Sequence, residues 1–359
     1  MKKSLIALAV LASSGAAMAQ SSVTIYGLAD VWVGSQKDTT GTTSAGSFGK
    51  MASDEGFATS RLGFKGTEDL GGGLKANFQL ETTVAFDSPS ATSLGSRQAW
   101  VGLSGGFGEV QLGRVWTPYD DTRALINDTF NANFASSFNV WEGYIDRTNN
   151  GIRYNTPSFG GLTGSVAYAF GEDKTTTTKA SNLTSFSLNY ANGPIAAGLA
   201  HQIEKDTNPG IPVAPATGVG IYSDLSSLSS VLGAQVSKRT YTLLNGSYDL
   251  GVAKLVAGYN TVKATSTAVA GTAKANEFNV GVEVPFGSAL ALGVGYAESQ
   301  VELNGVDQND TTGYSATLKY SLSKRTFTYV GLTKDEEETA AGAPVAERTR
   351  FFVGVSHSF

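Results

Sequence analysis

The sequence predicts an all-β fold, a 16-stranded antiparallel β-barrel that crosses a membrane. Three observations predict it. Segments of about ten residues alternate apolar and polar side chains, the period of an extended strand with one face against lipid. The connections between them alternate too, short and rich in Gly, Pro and Ser at one end, long and polar at the other. Finally, the chain closes on RTRFFVGVSHSF, in which Phe351, Val353, Val355, His357 and Phe359 share one face. The end of a soluble domain usually frays and gains nothing from aromatics. This end must be held in a wall.

The chain begins with MKKSLIALAVLASSGAAMAQ: two lysines, an apolar stretch, then Ala17-Met18-Ala19. That layout predicts a secretory signal peptide over residues 1–19, leaving one domain over 20–359. Its apolar part, Leu5 to Leu11, is far shorter than the ~20 residues a membrane helix needs. Cysteine is absent, so stability must come from a packed or hydrogen-bonded scaffold. The net charge of −5 becomes −7 once Lys2 and Lys3 leave with the leader, which argues against a nucleic-acid partner. With 43 Gly, only 9 Pro, and 18 Phe beside 14 Tyr, the exported chain is a sandwich or a barrel.

The strands and turns decide for the barrel. In SSVTIYGLADVWVG, Val23, Ile25, Gly27, Ala29, Val31 and Val33 oppose Thr24, Tyr26, Leu28, Asp30 and Trp32. LKANFQLETT places Leu74, Ala76, Phe78 and Leu80 against Lys75, Asn77, Gln79 and Glu81. FNVGVEVPFG and GYSATLKYSLS keep the same beat. Tight turns fall near 68–73, 104–109, 155–161, 191–194, 248–253, 284–289 and 321–325. Longer loops are expected near 35–57, 87–95, 117–149, 173–181, 205–236, 265–273, 303–309 and 337–345, giving fifteen connections and sixteen strands. A sandwich would have shorter strands and no need of a lipid-compatible face. Because an open edge in lipid leaves backbone groups unpaired, RFFVGVSHSF should close against SSVTIYG, with Phe359 at the periplasmic rim.

A pore does no bond chemistry, so its working residues are the charges that face inward. Leu62 and Phe64 alternate outward, which turns Arg61 and Lys65 inward; Ile152 and Tyr154 do the same for Arg153. Arg97 shares parity with Ala99 and Val101, and the pattern allows it either face. The longest early loop, at 117–150, carries Asp120, Asp121, Asp128, Glu142 and Asp146 against Arg123 and Arg147. Enzyme signals are weak. His201 and His357 are far apart; His357 lies among outward valines and His201 is expected at a strand end. No catalytic, cofactor-binding or metal-ligating set is predicted, and the glycines at 71–73 read as a turn, not a phosphate loop.

The stretches SSVTIYGLAD, SRLGFKGTEDLGGGLKANFQLE (60–81), SRQAWVGLSGGFGEVQLGR (96–114), IRYNTPSFGGL (152–162) and the terminal VGVSHSF carry a resemblance. The chain resembles the trimeric general porins of Gram-negative bacteria, specifically the β-proteobacterial (Burkholderia- and Neisseria-like) porin family. The resemblance implies a homotrimer in outer-membrane lipid and lipopolysaccharide, with short periplasmic turns, long extracellular loops and a third loop folded into the lumen. It places Arg61, Arg97 and Arg153 on the wall of the constriction, opposite the acidic loop. It makes Phe359 an assembly signal read by the barrel assembly machinery, with His357 where enterobacterial relatives carry tyrosine. The expected function is passive diffusion of ions and small hydrophilic solutes, with a preference for anions. A barrel enzyme of the phospholipase or protease kind and a plugged adhesin are the alternatives. The first would need a histidine paired with a nucleophile, and the second an N-terminal plug.

Overall fold

The computed structural model of the chain describes residues 22–53, 56–88, 93–126, 130, 132, 137–177, 179–205, 236–266 and 270–359. The expected signal peptide, Asp128 and the Pro- and Ser-rich interior of the loop at 205–236 lie outside the described residues. The wall opens with β1 (Ser22–Thr40), β2 (Thr43–Ala52), β3 (Arg61–Gly71), β4 (Leu74–Thr83), β5 (Gln98–Gly105) and β6 (Gly108–Trp116). After the third loop come β7 (Arg147–Asn155), β8 (Leu162–Phe170), β9 (Asn182–Asn192), β10 (Ile195–Lys205), β11 (Val236–Asp249) and β12 (Lys254–Ser266). The last are β13 (Thr272–Phe286), β14 (Leu290–Leu303), β15 (Val306–Ser321), β16 (Thr326–Thr339) and β17 (Pro344–Ser358). Each pairs antiparallel with its neighbours in one closed sheet.

These seventeen segments fill sixteen positions around the wall, the predicted number. β2 and β3 lie end to end against β1: Trp32–Thr40 pairs with β2, and Ser22–Leu28 pairs with β3. Between them the chain leaves the wall at Ser53 and returns at Ser60.

Closure is made by β17 on β1, but one stretch further along than the sequence suggested. The pairing runs from Leu28 opposite Ser358 to Thr40 opposite Ala346. Gly27 and Phe359 complete it by exchanging two backbone hydrogen bonds. Ser22–Leu28 pairs instead with β3. The reason is stagger: strands of a barrel tilt, so the last meets the first displaced along its length.

All seven tight turns fall where the sequence put them. Four of the long loops lie within their expected ranges but are shorter than expected. β1 and β2 form a hairpin through most of 35–57, turning at Gly41. β12 and β13 likewise pair up to Thr265 and Thr272, and β16 and β17 leave only residues 340–343 between them. β14 and β15 join through Asn304 and Gly305 alone, both at positive φ, as a two-residue hairpin requires. Here the ladder continues beyond the lipid. Apolar alternation is lost in stretches such as Gln36, Lys37 and Asp38, yet backbone pairing needs no apolar face.

The outward face is apolar, with Ile25, Val101, Phe186, Leu244, Val280 and Val355 among its exposed residues. At the turn end, Phe107, Phe159, Tyr248, Phe286, Tyr320 and Phe359 are also exposed, and form the aromatic girdle of a membrane interface. Inward positions are mostly polar or small.

Candidate functional site: a basic wall facing an infolded loop

On β3, Phe64 stands opposite Ile25 on the outer face, so Arg61 and Lys65 face the lumen. The Lys65 ammonium sits 5.3 Å from the centre of the Tyr26 ring. Tyr26 Oη donates to Glu81 Oε2 at 2.9 Å and accepts from Gln79 Nε2 at 2.6 Å. Glu81 is shared by two arginines: Arg97 Nε donates to its Oε1 at 2.7 Å, and Arg61 Nε lies 3.8 Å from its Oε2. Arg97, which parity left open, is 93% buried from solvent by this arrangement, with 7% of its surface exposed. It faces inward because β5 begins only at Gln98, and the residue before a strand is not bound to its pleat.

Trp116, the last residue of β6, joins the two sides of this wall. Its ring centre is 5.6 Å from the Arg97 guanidinium and 4.6 Å from that of Arg147. Its carbonyl accepts from Arg153 Nη1 at 3.0 Å, while Arg153 Nε donates to Asn155 Oδ1 at 2.8 Å. Planar guanidiniums against an indole suit such a cluster, since Arg is weakly hydrated and stacks well. Arg147, which the sequence reading left in the loop, opens β7 and completes the group.

The third loop leaves at Thr117 and returns at Asp146, where a backbone bond of 2.8 Å closes its neck. It starts as a short helix, α1 (Pro118–Arg123), which Thr117 caps by accepting from the Asp120 N–H. Proline at the first helical position and two acids in the first turn suit the helix start. This turn presents Asp121, which forms an ion pair with Arg153. At the neck, Asp146 pairs with Arg147 at 2.8 Å. The other predicted acids turn elsewhere. Asp120 accepts from Tyr144 Oη, and its carboxyl is pushed up to about 7 by burial and then by the Asp146 charge. Glu142 is buried and acts electrostatically on Arg239.

From α1 onward the loop lies along the far inner wall. Tyr119 N donates to Ser185 Oγ at 3.1 Å, and Asn245 Nδ2 to the Thr122 carbonyl at 2.5 Å. Three wall glutamates accept backbone N–H groups of the loop: Glu283 from Phe130 at 2.9 Å, Glu277 from Glu142 at 2.5 Å, and Glu204 from Ile145 at 2.8 Å. Tyr119, Val140 and Trp141 pack on Tyr241, Leu243, Val262, Ala275 and Ala297 of the wall. Where Ser137–Val140 crosses, Gly313 admits it: a Cβ there would lie 2.2 Å from the Ser137 carbonyl oxygen. The sequence reading missed these glutamates. Inward parity opposite the exposed Phe278 and Val280 would have found Glu277.

Neither histidine belongs to this site. His357 faces outward on β17 with Nδ1 2.8 Å from Thr326 Oγ1. His201 lies in the middle of β10, not at a strand end, with Nδ1 2.9 Å from Thr242 Oγ1. The strand runs on past it because Gln202 and Glu204 turn inward beneath the loop. Among the described residues no His, Cys, Asp or Glu group is placed to hold a metal ion.

A closed antiparallel wall, apolar and girdled outside, charged inside and narrowed by its own loop, is an outer-membrane channel of the general diffusion type. The chain belongs to the Gram-negative porin family, whose pattern it matches over residues 4–340. It is 35% identical over 387 residues to outer membrane porin protein 32 of Delftia acidovorans, with all of both chains covered. Major outer membrane protein P.IB of Neisseria gonorrhoeae is 39% identical over 174 residues, 47% of this chain and 48% of that one. Among solved structures, the anion-selective porin from Comamonas acidovorans superposes with a TM-score of 0.74 at 28% identity, covering 95% of this chain and 100% of that chain. The protein is a porin of the Gram-negative outer membrane, a passive channel and not an enzyme.

Proposed function

We propose that this porin passes small hydrophilic solutes and ions with a preference for anions, through a constriction lined by Arg61, Arg97, Arg153 and Lys65. One observation carries the reading. Among the described residues, the inward cations Arg61, Lys65, Arg97, Arg147 and Arg153 pair with three carboxylates, those of Glu81, Asp121 and Asp146. The surplus is positive and its guanidiniums stay charged at any working pH. Charges in a narrow passage between low-dielectric walls act on an ion more strongly than the chain's overall −5. The similar porin from Comamonas acidovorans is itself anion-selective. Asp121 and Asp146 oppose this wall in part, and give the narrow point a field across its axis.

Assembly as a homotrimer in lipopolysaccharide-bearing membrane, after removal of residues 1–19 and insertion by the barrel assembly machinery reading Phe359, belongs to the same proposal and rests on family membership. The zero-current potential of purified protein in a planar bilayer, under a salt gradient, tests selectivity directly. A potential of the sign set by cations would reject anion preference. An intact mass that retains the leader would reject cleavage after Ala19.

A further inference from the structure

Among the described residues, two segments leave the wall and enter the lumen, and each is pinched shut at its neck by a backbone hydrogen bond. Thr117 and Asp146 close the third loop; Ser60 N donates to the Ser53 carbonyl at 3.2 Å to close the excursion between β2 and β3. No pattern in the chain marks the second. Their tips meet: the Phe57 and Phe130 rings stack with centres 6.1 Å apart and planes 16° from parallel.

Each partner in this contact is held from behind. Phe57, with 7% of its surface exposed, is fixed by its N–H, which lies 3.2 Å from Asp30 Oδ1 and 3.3 Å from Tyr329 Oη. Tyr329 in turn donates to the same Asp30 oxygen at 2.7 Å. Gly56 allows the approach, because a Cβ there would lie 2.4 Å from Asp30 Oδ1. On the other side, Phe130 holds φ at +67°, a left-handed conformation that a bulky residue keeps only where its surroundings over-determine it. Glu283 supplies one restraint by accepting the Phe130 N–H. Lys319 of β15 supplies another: its ammonium lies 5.3 Å from the Phe130 ring centre, 5.6 Å from that of Phe57 and 4.8 Å from that of Phe327. Ala132, 1% exposed, packs in the same cluster.

We propose that Phe57 and Lys319 are positioning residues for permeation: they clamp the tip of the third loop at Phe130 and thereby set the bore of the passage. The inference rests on the third loop being the element that narrows the pore. The helix at its start, and Glu277 and Glu204 at Glu142 and Ile145, hold other described parts of the loop, while Phe130 is held by Glu283 and by this clamp.

The test uses the absence of cysteine. Ala132→Cys, in the full chain purified from outer membranes and reconstituted in bilayers, gives a single buried thiol for a bulky, charged methanethiosulfonate reagent. Its modification is read as a fall in current. Adding Phe57→Ala should speed modification about tenfold, as local opening becomes more frequent, and should raise open-channel noise while leaving the zero-current potential in place. Lys319→Gln should act in the same direction and Lys319→Arg should restore the parent rate, since a guanidinium keeps the cation–ring contact. Should Phe57→Ala not assemble, Phe57→Leu keeps the apolar bulk without the stacked ring and is expected to give the same acceleration in smaller degree. Modification that blocks current at the parent rate in all these backgrounds would overturn the clamp. Modification that proceeds without changing the current would instead overturn the reading of the third loop as the narrowing element.

Discussion

Gly27 and Phe359 hold each other by two backbone hydrogen bonds, N–H to carbonyl, each 3.1 Å long. The Phe359 ring lies so close that a Cβ on Gly27 would fall 2.2 Å from its Cζ. The last residue of the chain and a glycine near the start of the first strand thus form the lower end of the seam that closes the barrel.

Deleting Phe359 should reduce the outer-membrane yield of heat-modifiable, detergent-resistant oligomers. The closing strand loses two hydrogen bonds and its aromatic at the membrane interface. Equal yields from the truncated gene would show that the seam closes without it.

Gly27→Val should weaken the seam while leaving the terminal residues intact. Forcing a side chain into the space of the Phe359 ring costs about 1–3 kcal/mol. The expected readout is a lower temperature for the electrophoretic shift from folded to unfolded barrel, and an unshifted transition would reject the contact as a constraint.

Replacing Arg61, Arg97 and Arg153 together by serine should move the zero-current potential toward cation preference. A shift of roughly a third of the ~59 mV that an ideally selective pore gives in a tenfold gradient is expected. An unmoved potential would place these arginines outside the path of ions. The single change Glu81→Gln should act oppositely, raising the anion-to-cation permeability ratio about twofold, because it removes the one carboxylate that Arg61 and Arg97 share.

Selectivity should also depend on pH through Asp120. Burial and the Asp146 charge hold its carboxyl at about 7. Above that pH it is ionised and below it neutral, so acidification from pH 8 to 6 removes a negative charge from the loop and strengthens anion preference. The sign for stability is the same: with the folded-state value raised, stability falls as pH rises from the ordinary carboxylate range through 7. Asp120→Asn should show a smaller change in potential over this range, and an undiminished one would assign the titration elsewhere.

Much of this wall was legible in the chain, for a physical reason. Lipid imposes a strict alternation, so Ile25, Phe64 and Ile152 fix the facing of their neighbours, and Arg61 and Arg153 follow. Glycine-rich turns cannot be anything else. Where lipid ends, the signal ends: the β1–β2 hairpin pairs from Thr40 and Thr43 downward with polar residues on both faces, and so looked like a loop. Arg97 escaped the pattern because it precedes its strand. Contacts between distant residues carry no local signal at all. Phe57 on Phe130, or Glu204 beneath Ile145, are meetings that only the closed ring creates.

The surplus of fixed cations beside Glu81 has a hydrodynamic consequence. A narrow channel with positive walls fills with mobile anions, and under an applied voltage these drag water with them. Such electro-osmotic drift gives even an uncharged sugar or amino acid a direction of travel, one that would reverse with the polarity of the membrane and fade as salt is raised.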